Sequence, residues 1–249
     1  MFGLHPQSIV SRVQASSQPP GIPSLGGSLA RGTIGFTLVS LGGFAPWMFA
    51  NRAFYRAVGE MGLYGACALV FVALSGLLLH RLIIGPGSLG RFYKVFTLAF
   101  LAYAVAWTLG WMTEGGDTGS IAGLLAGTAA MGLILAQAFG ALGQAWKVIA
   151  VLFVGNMAGY FAGDWAHNAV GALKDQKVLG FMLERPARVL LARASWGLFY
   201  GLGFGAGLGF AFHACQAQAR KLLAGLRFPD EATTSSAAAK RDVALTGNS

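Results

Sequence analysis

Long apolar windows without charged residues recur along this sequence and alternate with short polar segments. A helix needs about 20 mostly apolar residues to cross the roughly 30 Å hydrocarbon core of a bilayer. Windows of about this length occur at residues 32–51, 61–80, 95–113, 120–140, 148–163 and 194–219. Pro46 predicts a kink or break near the end of the first window. The pattern therefore predicts an all-α, polytopic integral membrane protein with about six transmembrane helices, in which residues 32–219 form one helical domain.

Three segments do not follow this pattern. Residues 1–31 contain no acidic residue and no apolar core of a secretory signal peptide, so we expect a disordered N-terminal tail, with an organelle transit peptide as the alternative. Residues 220–249 start basic and become polar, which predicts a disordered C-terminal tail. Residues 174–193 mix charged and apolar side chains and contain Pro186, which should break a helix there. We expect this segment to be amphipathic and to lie in the membrane interface, with a partly buried re-entrant segment as the alternative.

The composition supports the membrane interpretation. Hydrophobic residues make up 55% of the chain and charged residues 11%, whereas soluble domains have about 25% charged residues. Lys and Arg exceed Asp and Glu by 18 to 9. In a soluble protein this excess would indicate nucleic-acid binding. Here the basic residues lie between and beyond the apolar windows, where they orient helices and contact anionic headgroups, so we expect the lipid bilayer as partner and no nucleic acid.

The distribution of basic residues predicts an orientation. The segment at 113–120 has two acidic residues and no Lys or Arg, whereas the segment between the second and third windows carries Arg81, Arg91 and Lys94. Since Lys and Arg are retained on the cytoplasmic side, residues 113–120 should lie outside. An even number of spans then places both termini in the cytoplasm. We expect a bacterial inner membrane, with an organelle membrane as the alternative.

Glycines recur at four-residue spacing in the fifth and sixth windows. The two rows are Gly155, Gly159 and Gly163, and Gly197, Gly201, Gly205 and Gly209. A second row in the sixth window contains Gly203 and Gly207. Glycine costs a helix about 1 kcal/mol per residue in water, and in lipid the compensating gain is close approach of two backbones. The rows therefore predict tight helix packing, either within one copy or between copies. A narrow pore lined by glycine is the alternative.

Part of the sixth window resembles a known family. The stretch from Trp196 to Gly209, WGLFYGLGFGAGLG, followed by Cys215 and Gln216, resembles the glycine-rich membrane hairpin of the small cristae-junction scaffolding subunit of the mitochondrial contact-site complex. That family oligomerises through such glycines, so the resemblance implies contacts between copies. The match covers a small part of the chain, and the short basic turn that joins the two spans in that family is absent here. We interpret the match as convergence on helix packing.

Polar side chains form a row along the fifth window. Asn156, Tyr160 and Asp164 are spaced four residues apart, beside the glycine row. Polar and ionisable side chains within a membrane often mark a substrate path, so these three are candidates for a transport path. The alternative is structural: Asp164 ends the span at the interface, and Asn156 forms a hydrogen bond with a neighbouring helix.

The motifs of membrane enzymes and metal sites do not occur in the sequence. There is no HExxH, no P-loop, and no serine motif ahead of His167 of the kind that a rhomboid-type protease needs. His167 and His213 fall at opposite ends of their windows and cannot share a metal ion. We therefore expect no enzyme activity, no cofactor and no metal. The function that we expect is a permease or channel-like facilitator of small solutes. The alternative is a structural or assembly protein whose glycine helices bind a second copy or another membrane protein.

Overall fold

A computed structural model describes most of the chain, and it confirms six helices that are long and apolar enough to cross a membrane. The described residues are 2–16, 21–50, 52–173, 177–178, 181–182 and 184–226. Their α-helices are α1 (Pro6–Gln14), α2 (Leu25–Gly43), α3 (Ala45–Phe49), α4 (Arg52–Leu79), α5 (Ser88–Glu114), α6 (Gly116–Ala138), α7 (Ala145–Gly171), α8 (Arg185–Cys215) and α9 (Ala217–Ala224). Short 3-10 helices occupy His80–Leu82 and Leu142–Gln144. Helices α2 and α3 together form the first long apolar segment.

The helices extend beyond the apolar windows at most of their ends. For example, α5 starts at Ser88 whereas its window starts at residue 95, and α7 continues past Asp164 to Gly171. In α4 the backbone breaks at Gly59, where φ is 67°, just before the window that starts at residue 61. An uncharged window measures only the part of a helix that hydrocarbon can surround, and charged residues remain helical beyond it. The predicted break in the first window is confirmed, because α2 ends at Gly43 and α3 resumes just before Pro46. Asn51, the last residue of that window, lies outside the described residues.

The N-terminal segment differs from the expected disordered tail. Residues 6–14 form α1, and residues 25–31 already belong to α2. Pro6 occupies the first turn of α1, where its missing N–H leaves no hydrogen bond unmade. Ile9, Val10 and Val13 share one face of α1 and are buried. These few apolar residues are spaced for a helix and are covered by the rest of the protein, which a composition-based prediction of disorder does not detect.

The predicted C-terminal tail also begins as ordered structure. Residues 220–224 complete α9, in which Ala219 and Leu223 are buried. Residues 227–249 lie outside the described residues, so the rest of this tail stays a prediction.

Part of the segment at 174–193 belongs to a long helix, while its predicted location in the interface stays a prediction. Its last part, from Arg185, forms the first turns of α8, which continues without a break to Cys215. Pro186 begins this helix rather than interrupting it, because a proline in the first turn removes no intrahelical hydrogen bond. Ahead of α8, Lys177–Val178 and Phe181–Met182 pair as two short antiparallel strands. Residues 174–176, 179–180 and 183 lie outside the described residues.

The long helices form a ring in chain order. Helix α2 packs against α4, α4 against α5, α5 against α6, α6 against α7 and α7 against α8, and α8 closes the ring by packing against α2. Helix α1 packs against α9, and both lie at the end of the ring that holds the α4–α5 and α6–α7 connections. We call this the capped end, formed by α1, α9 and residues 80–87 and 139–144.

Aromatic side chains fill the interior of the ring. On α5, Phe92, Phe96 and Phe100 stack on one another with ring centroids 5.0 and 5.5 Å apart. The row continues to Tyr103, whose ring lies 5.2 Å from that of Phe204 on α8. All five side chains are buried. The same four-residue spacing that places glycines on one side of a helix places these rings on the inward side.

Candidate functional site

The seam between α7 and α8 brings two backbones into close contact. A Cβ atom built on Gly155 would lie 2.7 Å from the carbonyl oxygen of Gly203, and one built on Gly159 would lie 2.8 Å from that of Phe199. At Gly163 the corresponding distance, to the carbonyl oxygen of Trp196, is 2.9 Å. Real Cβ atoms essentially never approach this closely, so any side chain at these positions would push the helices apart.

The other glycine row of α8 lies against α2. A Cβ on Gly201 would be 2.6 Å from the Cα of Thr37, and one on Gly205 would be 2.5 Å from the carbonyl oxygen of Gly32. Gly209 is equally close to the Ser28 backbone. Gly197 differs, because its nearest neighbour, a ring carbon of Phe44, would be 3.5 Å away. Helices of the same copy therefore cover both glycine rows of α8. That these glycines set the stability of the packing stays a prediction.

A third glycine seam, between α5 and α6, was not among the sequence predictions. Gly110 on α5 lies opposite Gly123 on α6, with a Cβ-to-Cα distance of 2.6 Å, and a Cβ on Gly127 would be 2.9 Å from the Tyr103 carbonyl oxygen. The signal was present in the sequence as Gly119, Gly123 and Gly127 at four-residue spacing. Through Gly127 this seam directly contacts the backbone of Tyr103.

Three polar side chains from three helices meet inside the ring. Asn156 on α7 is fully buried, with 0% of its surface exposed, and its Nδ2 donates a hydrogen bond of 2.9 Å to the hydroxyl oxygen of Tyr103 on α5. The Tyr103 hydroxyl lies 3.2 Å from that of Tyr200 on α8. Asn156 Oδ1 is buried and has no hydrogen-bond partner. We call Tyr103, Asn156 and Tyr200 the polar cluster.

A second layer lies one helical turn from the polar cluster, away from the capped end. Tyr160 and Trp107 follow Asn156 and Tyr103 at four-residue spacing, and Trp196 precedes Tyr200 by the same spacing. The Tyr160 hydroxyl lies 3.1 Å from that of Ser120, and the Trp107 indole nitrogen is buried without a hydrogen-bond partner. We call Trp107, Tyr160 and Trp196 the aromatic layer. It contains a buried hydrogen-bond donor without a partner, the Trp107 indole nitrogen, just as the polar cluster contains a buried acceptor without a partner, Asn156 Oδ1.

Asp164 does not face the interior of the ring, unlike the candidate path residue Asn156. Its side chain is exposed and accepts a hydrogen bond of 3.1 Å from Asn168 Nδ2 on its own helix. Four residues turn a helix by about 400°, so each step of the row rotates by about 40° relative to the last. Asn156 thus faces the interior, Tyr160 is half-buried and Asp164 faces outward.

The capped end contains buried polar contacts that the sequence did not single out. Arg91 is only 6% exposed and donates hydrogen bonds to the carbonyl oxygens of Ile84, Gly85 and Pro86, at 3.2, 3.1 and 2.7 Å. Gln216 accepts from the Ile84 amide, and its Nε2 donates to the Leu82 carbonyl, both at 2.8 Å. Together these two side chains hold the α4–α5 connection.

An additional basic side chain ties α9 to the end of α8. Arg220 donates a hydrogen bond to the carbonyl oxygen of His213, and burial lowers the pKa of Arg220 below its ordinary value. The arrangement keeps a cation beside the C-terminal carbonyl groups of α8, where the helix dipole favours positive charge.

No His, Cys, Asp or Glu side chains come together in threes that could hold a metal ion within the part of the chain that the structure describes. No protein-family model, curated protein or solved structure matches this chain. Function must therefore be inferred from the ring and its polar cluster.

Proposed function

We propose that this chain is a multi-pass integral membrane protein without enzymatic activity, and that it facilitates the passage of a small uncharged solute through the ring. The observation that carries the proposal is Asn156 Oδ1, a fully buried acceptor with no partner at the centre of an apolar helix ring. Leaving a buried polar atom unpaired costs about 1–3 kcal/mol, and such a group calls for a specific explanation. A passing solute that binds there provides one.

The exterior of the ring supports a membrane location. Large apolar side chains point outward along the helices: Leu69 is 73% exposed, Val154 65% and Leu109 59%. Hydrocarbon, unlike water, accommodates such a surface, while the backbone polar groups of the helices are satisfied internally. The bacterial inner membrane remains our proposed location.

The distribution of charge supports an orientation. In the described part of the chain, the acidic residues all lie toward the end opposite the capped end; they are Glu60, Glu114, Asp117, Asp164 and Glu184. The capped end carries the basic residues Arg12, Arg31, Arg81, Arg91, Lys94, Lys147, Arg220 and Lys221. Basic residues also occur at the opposite end, but the described residues there include fewer of them than the capped end does. We propose that the capped end, with both termini, faces the cytoplasm.

The chemistry of the polar cluster limits the class of solute. Its amide and two hydroxyl groups offer donors and acceptors but no charge, so a small neutral molecule that both donates and accepts hydrogen bonds fits it best. Since aromatic rings fill the space around the cluster, passage requires the side chains of the aromatic layer to rotate. An ion would lose its hydration in this interior without a compensating charge.

Assembly through the glycine faces is the weaker alternative. It would need at least one glycine row to be free for a second copy, whereas both rows of α8 lie against helices of the same copy.

The test is solute flux into proteoliposomes, followed by light scattering with urea and glycerol as probes. Asn156→Leu removes the polar side chain from the interior, and Asn168→Leu is the matched control, since Asn168 lies exposed on the same helix. We expect Asn156→Leu to lower the flux roughly tenfold, corresponding to the loss of one buried hydrogen bond, while Asn168→Leu keeps it. Wild-type flux no higher than that of empty liposomes would refute the proposed facilitator, and unchanged flux in Asn156→Leu would remove the polar cluster from the path.

A further inference from the structure

A groove of about 490 Å³ opens on the outside of the ring near the capped end. The N-terminal segment forms one side, and α5 and α6 form the other. The side built by α5 and α6 consists of the apolar Leu98, Ile134 and Ala138 together with Gln137, and the N-terminal side contains Phe2, Leu4, His5 and Ser8. The proposed transport path, which runs through the interior, does not use this groove.

The groove is held in shape by buried anchors. Leu4 lines it and is 1% exposed, and Ile9 and Val13 fix α1 against the rest of the protein. Leu98, in contrast, is 46% exposed on the outward face of α5. The groove is therefore a preformed concave surface on the side of the ring that faces lipid in the proposed membrane location, and an acyl chain fits a concave apolar wall.

Positive charge flanks this groove. The guanidinium group of Arg12 lies over Gly3 at its rim, because a Cβ on Gly3 would be 2.9 Å from Arg12 Nη2. Lys94 is exposed one turn before Leu98 on the same outward face of α5, nearer the capped end. None of the residues that line the groove is acidic. An apolar wall beside two cations is complementary to an anionic amphiphile.

We propose that this groove binds one anionic phospholipid. Its acyl chain lies against Leu98, Ile134 and Ala138, and its phosphate contacts Arg12 and Lys94. The inference rests on the proposed membrane location but not on solute passage, so flux and lipid binding can fail independently.

The experiment is native mass spectrometry of the detergent-solubilised full chain, titrated with phosphatidylglycerol or phosphatidylcholine of identical acyl chains. We expect one phosphatidylglycerol to be retained in preference to phosphatidylcholine. Arg12→Gln combined with Lys94→Gln should weaken its binding roughly 25-fold, since each basic group near the headgroup contributes about fivefold. The matched control is Arg81→Gln combined with Lys221→Gln, which removes two exposed cations from the same end but away from the groove and should change binding little.

A second variant tests the apolar wall without changing charge. Ala138→Phe places a ring in the groove and should abolish retention of the lipid, with size-exclusion chromatography showing that the protein remains folded. Equal retention of the two lipids, equal effects of the two double variants, or wild-type retention in folded Ala138→Phe would each overturn the proposal. The last result would mean that charge attracts lipid to this end in general and not to the groove.

Discussion

The seam between α8 and α2 gives a prediction in which two glycines of one sequence row behave differently. At Gly205 an added Cβ would lie 2.5 Å from the Gly32 carbonyl oxygen, about 0.9 Å short of the 3.4 Å at which ordinary contact begins. The obstructing atom is backbone, so the helices themselves must separate. Overpacking of this kind typically costs about 1–3 kcal/mol, from which the better helix propensity of alanine subtracts at most about 1 kcal/mol. We expect Gly205→Ala to destabilise the protein by roughly 1–2 kcal/mol.

Gly197→Ala is the matched control, because it is the same substitution in the same row of the same helix. Its nearest neighbour would be 3.5 Å away, which is ordinary van der Waals distance, so this variant should be neutral or slightly stabilising. Thermal unfolding in detergent measures both, with each kcal/mol expected to shift the Tm by roughly 2–4 °C. Size-exclusion chromatography reports any change in oligomeric state. Equal Tm values for the two variants, or a Gly205→Ala protein as stable as wild type, would refute the reasoning from backbone contact.

Three further predictions concern other parts of the ring. Asp164→Asn should leave solute flux unchanged, because this carboxylate faces outward; a loss comparable to that of Asn156→Leu would return it to the path. Gln216→Leu leaves backbone groups at the α4–α5 connection unpaired, including the Ile84 amide. It should cost about 1–3 kcal/mol and speed hydrogen exchange there, and wild-type exchange would show that the contact is dispensable. For the orientation, a cysteine at exposed Thr118 should react with an impermeant thiol reagent only from outside and one at exposed Ser11 only from the cytoplasmic face; the reverse pattern would invert the topology.

The number of long helices could be predicted from the sequence because hydropathy and length are the two quantities that a bilayer constrains. Helix α1 could not be predicted in this way. Its apolar residues are few and lie in a polar segment. They indicate a buried helix only when the protein surface that covers them is known. The start of α8 was missed for a different reason. A proline breaks a helix in its interior but favours the first turn, and Pro186 lies in the first turn of α8.

Of the three side chains in the polar cluster, only Asn156 was among the sequence candidates. Asn156 stood out because it is an amide within an apolar window, but Tyr103 and Tyr200 lie on other helices, and no spacing along the chain links them to it. The row that joined Asn156 to Asp164 does not stay on one face of α7, because a four-residue spacing drifts around a helix. The glycine rows were visible in sequence, whereas which helix covers each row depends on how the ring closes.

Closure of the ring by its first and last helices has a consequence for synthesis. In a membrane, α2 enters long before α8, and the hydrogen bond from the Ser40 hydroxyl to the Gly197 carbonyl joins residues 157 positions apart. At translation rates of about 5–20 residues per second, α2 waits roughly 10–30 s with Ser28 and Ser40 lacking their partners on α8. A chain that stops before α8 therefore displays unpaired hydroxyls and a bare glycine surface to lipid. The ring can close only once α8 has been made, so the packing of α2 against α8 is completed last among the long helices.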